Sequence, residues 1–87
     1  MYEEKILELM QQIKSDIEAD KSEISRIRKE INKLKKCIKE STELKLYNKE
    51  FEDELLIKKD KIISIKEKIN KEKKAIYRLN RVMDLLK

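Results

Sequence analysis

The chain has no glycine, proline, histidine or tryptophan among its 87 residues, and only one cysteine, three tyrosines and one phenylalanine. Each absence excludes something. Without glycine there is no loop of the kind that cradles phosphate groups. Without histidine, and with a single cysteine, a metal site of the usual nitrogen or sulfur type cannot be assembled. A serine or cysteine nucleophile would also lack the imidazole that activates it. Cys37 has no intrachain disulfide partner. It is expected to be a small, partly buried thiol beside a helix seam, since an intermolecular bridge needs an oxidising compartment of which the sequence gives no sign. No apolar stretch approaches the roughly 20 residues that span a bilayer. Met1-Tyr2-Glu3-Glu4 lacks a signal-peptide pattern, so the expected location is cytoplasmic, with no cofactor.

What is present is charge and aliphatic bulk. Charged residues make up 47% of the chain and aromatics 5%, the composition of a coiled coil or long helix. Such charge density also occurs in disordered chains, but those do not space isoleucines at a helical period. At this length a single compact core is marginal, so association between chains is expected. The net charge of +5 is compatible with an anionic partner. Richness in lysine, isoleucine, asparagine and glutamate is what an AT-rich genome encodes, as in low-GC bacteria and their phages.

Apolar residues recur at alternating spacings of four and three. In the first half Met10, Ile17, Ile24, Ile31 and Ile38 share one core position, and Ile6, Ile13, Ile27 and Leu34 the other, with Asp20 out of type. In the second half the seam runs through Phe51, Leu55, Ile62, Ile65, Ile69, Ile76, Leu79, Met83 and Leu86, with Lys58 and Glu72 out of type. Both read as heptad seams. Ile38 and Ile62 hold equivalent positions 24 residues apart, three heptads plus three. A continuous coiled coil would have to overwind to absorb that shift, whereas two helices joined by a turn need not. Formal charge runs −4 over 1–20, +5 over 21–40, −2 over 41–60 and +6 over 61–87, so folding back at the midpoint sets opposite signs together. The expectation is an all-α, antiparallel coiled-coil helical hairpin forming one domain over residues 1–87.

Helix-end chemistry places the turn. Lys33, Lys35, Lys36 and Lys39 suit the negative pole of a first helix ending near 41. Asn48 suits an N-cap, and Glu50, Glu52, Asp53 and Glu54 suit the start of a second helix. Ser41 and Thr42 favour local side-chain to backbone hydrogen bonds over continued helix. Helix 1 is therefore expected over about 2–41, a connection over about 42–47 and helix 2 over about 48–86. A register in which paired residue numbers total 89 stacks the two seams. It sets Asp20 opposite Ile69, Glu72 opposite Ile17 and Lys58 opposite Ile31. This polar trio is expected to fix register and oligomer state at a cost in stability, its tips reaching the seam edge. Leu7, Leu9, Leu56, Ile57, Ile63, Val82 and Leu85 lie off the seam, a width that suits two hairpins dimerising into a four-helix bundle.

Candidate sites follow from this frame. Leu44, Leu46 and Tyr47 cluster in the connection, where apolar side chains either close the bundle end or contact a partner protein. Arg26, Lys29, Lys33 and Lys36 on helix 1, and Lys71, Lys74, Arg78 and Arg81 on helix 2, form outer basic stripes about 15 Å long that could track phosphates. Acidic neighbours such as Glu30 and Glu67 can equally neutralise them. Carboxylate runs such as Glu52, Asp53 and Glu54 read as solvated helix-start charge, because a straight bundle offers no cleft for acid-base work. Attachment to a membrane surface needs a free apolar face, and the seam occupies it. The chain is expected to be a non-enzymatic coiled-coil protein–protein interaction module that binds itself, as a dimer, and a second protein. The alternatives are a nucleic-acid-binding accessory protein and a small inhibitor that blocks a partner's nucleic-acid groove.

Overall fold

The computed structural model describes residues 2–44 and 49–86. It is all-helical. Helix α1 spans Tyr2–Glu43 and helix α2 spans Lys49–Leu86, and the two pack along each other in a rod of 67 × 14 × 13 Å. Cross-helix ion pairs advance along one helix as they retreat along the other. Lys58 meets Glu30, Lys61 meets Glu23 and Lys68 meets Asp20, so the helices run antiparallel and form a hairpin. The residue numbers total 88 in Lys58–Glu30 and Lys68–Asp20 and 84 in Lys61–Glu23, reached by long lysine side chains.

The core is the isoleucine ladder. Ile17, Ile24, Ile27 and Ile31 of α1 bury against Ile62, Ile65 and Ile69 of α2, with Ile13, Leu55 and Ile76 packed at the margins. Only Ile27, at 1% exposure, loses essentially all contact with solvent. Two helices alone can cover one stripe of each other; burial on α1 reaches from Ile31 back to Met10, which is 6% exposed near the open end. Toward both ends Ile6, Leu34, Ile38, Phe51, Leu79 and Met83 are half-buried.

The end of α1 differs from the expectation. The helix continues through Ser41 and Thr42 to Glu43. The Thr42 hydroxyl does form its local bond, donating to the Ile38 carbonyl at 2.8 Å, but one turn back inside the helix. That geometry is available to a helical threonine and does not require a break. The Leu44 amide then donates to the Glu40 carbonyl at 3.0 Å. No basic residue lies in the last turn of α1, because Lys33, Lys35, Lys36 and Lys39 all precede it. Macrodipole compensation therefore does not mark this terminus. At the start of α2, Glu50 and Glu52 stand in the first turn as expected. The proposed Asn48 cap lies outside the described residues.

Candidate functional site

Heptad spacing gives the hairpin two edges, one on each side of the buried seam. A residue immediately before a seam residue is rotated about 100° back, and one four residues after it about 40° forward, so the two positions flank the seam on opposite sides. On the first edge, Glu23 and Glu30 of α1 precede Ile24 and Ile31, and Lys61 and Lys68 of α2 precede Ile62 and Ile69. Opposite signs meet there. Lys61 lies 3.3 Å from Glu23, and Lys58 donates to Glu30 at 2.8 Å.

The second edge carries one sign. Lys14, Lys21, Arg28 and Lys35 follow Met10, Ile17, Ile24 and Ile31 by four residues, and Lys59, Lys66 and Lys73 follow Leu55, Ile62 and Ile69 by four. All seven are exposed. Among the described residues only Lys21 forms an ion pair, with Glu18 on its own helix at 3.6 Å. Leu7 and Asn80 continue these rows at the open end of the hairpin, and Glu52 reverses the sign near the connection. Sequence reasoning missed this edge because its cations are scattered one per heptad. They become a surface only when the two rows are laid side by side, and that requires knowing which flanks face each other.

The outer stripes are placed differently. Arg26, Lys29, Lys33 and Lys36, and likewise Lys71, Lys74, Arg78 and Arg81, are exposed on the outward sides of separate helices and do not merge into one surface. Arg26 is held by acids, donating to Glu30 at 2.9 Å and to Glu23 at 3.4 Å. In the connection Leu44 is 71% exposed, while Leu46 and Tyr47 lie outside the described residues. Cys37 is exposed rather than partly buried.

The polar trio resolves into two unlike arrangements. Lys58 carries its ammonium out of the seam to Glu30 and, at 3.7 Å, to Glu54. A long aliphatic stem makes this easy. Glu30 is held below the usual carboxylate range by its hydrogen bond from Lys58, and Lys58 is correspondingly raised. Asp20 and Glu72 come close enough for the Asp20 carboxylate to act electrostatically on the Glu72 carboxyl, and both lie beside Lys68. Lys68 donates to Asp20 Oδ1 at 3.3 Å and sits 3.9 Å from Glu72 Oε1. Asp20 Oδ2, 3.3 Å from the Lys68 ammonium, and both Glu72 carboxylate oxygens are buried and make no well-aligned hydrogen bond among the described residues. Burial, then the nearby Asp20 carboxylate, push the Glu72 carboxyl upward, against a smaller opposing pull from Lys68. Among the described residues no group of three or more histidine, cysteine or acidic side chains is placed to hold a metal ion, and no helix is long and apolar enough to cross a membrane.

No protein-family model matches the chain, and comparisons with curated proteins and with solved structures return no significant match.

Proposed function

We propose that this chain is a non-enzymatic, coiled-coil protein–protein interaction module, a hairpin that pairs with a second copy into a four-helix bundle and docks another protein. The observation that carries this reading is the apolar surface that two helices leave uncovered. At the open end Tyr2, Leu7, Leu9, Val82, Leu85 and Leu86 are all exposed, Leu85 to 85%. On α2 the shoulder bearing Leu56, Ile57 and Ile63 is exposed as well. The accessible surface is 7305 Å², whereas a compact monomer of this mass exposes about 5,500 Å². The excess exceeds the roughly 800 Å² per partner of a standard interface. The partner copy cannot dock on the cationic edge, where like charges would meet, which leaves the open end and the α2 shoulder.

Light scattering is expected to give twice the 10.6 kDa chain mass. Val82→Asp with Leu85→Asp should halve it, and a monomeric native chain would sink the self-association reading. Docking through the connection has its own expected result. If these side chains form a contact site, alanine at Leu44, Leu46 and Tyr47 together should abolish capture of the partner while leaving the melting temperature within about 2 °C, because substitutions outside the core change stability little. A large loss of melting temperature would instead assign these side chains to closing the bundle end.

A further inference from the structure

We propose that the cationic edge is a binding track for the phosphate backbone of a nucleic-acid duplex, a surface distinct from the outer basic stripes and bordered by the apolar α2 shoulder. Its rows place a cation on each helix at every heptad, about 10.5 Å of axial rise. From Lys14 to Lys35 the longer row covers 21 residues, about 31 Å, close to the 34 Å turn of duplex DNA. On the opposite edge each helix supplies the charge that neutralises the other. Here the facing rows repel, and across the described residues the only carboxylate paired with any of these cations is Glu18 on Lys21. An extended polyanion supplies the missing counter-charge.

The shape selects among polyanions. The Cα envelope alone is 14 × 13 Å in cross-section, wider than the major groove of about 12 Å. The edge therefore rides on phosphates rather than entering to read bases, and binding is sequence-independent. A straight rod matches a duplex whose persistence length is about 50 nm. Single strands are held largely by stacking on aromatic rings, and among the described residues the only aromatic beside this edge is Tyr77 on the α2 shoulder. A lipid surface needs an apolar face to bury. Exposed Leu56 and Ile63 stand on one shoulder only, with Gln11, Glu18, Ser25 and Asn32 at the matching positions of α1.

The test is fluorescence anisotropy on a labelled duplex about two helical turns long, across a salt series. If about four phosphates are neutralised, the log–log slope is near −3.6, so affinity falls about 100-fold between roughly 50 and 200 mM salt. Arg28→Gln with Lys66→Gln should weaken binding at least tenfold and flatten the slope by about 2. The same variant should melt no lower than the wild type, since facing like charges have been removed, which separates loss of binding from loss of fold. Lys71→Gln with Lys74→Gln, on the outer face, should bind within about twofold of the wild type. Absence of duplex binding at low salt would overturn the proposal. So would an equal or greater loss in the outer-face variant, or equal competition by polyglutamate or by vesicles rich in phosphatidylserine.

Discussion

Ile27→Ala is expected to melt most of the hairpin at room temperature, read as loss of helical ellipticity at fixed protein concentration. Ile27 is the one side chain among the described residues that is fully removed from solvent, and it sits among Ile24, Ile31, Ile62 and Ile65 in the middle of the ladder. Truncating a buried isoleucine to alanine costs about 2–5 kcal/mol. A core of this size rarely supplies more than about 3–5 kcal/mol in total, so the loss is comparable to the whole. Ser22→Ala, at an exposed position on the outer face of α1, should stay within about 0.5 kcal/mol of the wild type. Similar effects at the two positions would mean that the ladder is not what holds the helices together.

Stability is also expected to fall as pH rises from weakly acidic toward neutral, the reverse of ordinary acid denaturation. Glu72 holds its proton more tightly folded than unfolded. Its favourable contribution is full below the unfolded value near 4.5 and disappears as pH climbs through the raised folded value. Glu30 has the opposite sign, with a lowered folded value, so the stability it lends through Lys58 is present above about 4.5 and fades as pH drops below it. Between these limits lies the maximum. Lys58 and Lys68, both raised by their carboxylate partners, lose their contributions only above about 10.5. Thermal melts of Glu72→Gln should lack the decline toward neutral pH. A double change of Asp20 and Glu72 to leucine should raise the neutral-pH melting temperature, because buried ionic groups replaced by apolar ones commonly stabilise by about 1–4 kcal/mol. If the pair also specifies register, the double variant should show a mixed oligomer distribution in light scattering. A wild-type profile flat between pH 4.5 and 7 would remove the pair from consideration.

Helix and seam were legible from spacing because a helix presents every third or fourth residue to one side regardless of what covers it. Met10, Ile17, Ile24 and Ile31 were therefore assignable to a core before any partner was known, and the mid-chain shift between Ile38 and Ile62 was enough to call for two helices. The extent of α1 past Thr42 was not legible, since the hydroxyl bond that argues for a turn is also available within a helix. The number of fully buried positions was not legible either, because it depends on how much of each stripe one neighbour can cover. Asp20 and Glu72 were visible as out-of-type residues, but they lie 52 positions apart and become an acid pair only when adjacent layers of the stack are built. The same holds for the edges. Lys14 and Lys73 are ordinary surface lysines along the chain, and only antiparallel packing puts acids beside bases on one side of the seam and cations beside cations on the other. Periodicity is a property of each helix alone, whereas charge pairing between helices depends on direction and register, and only the packed hairpin has those.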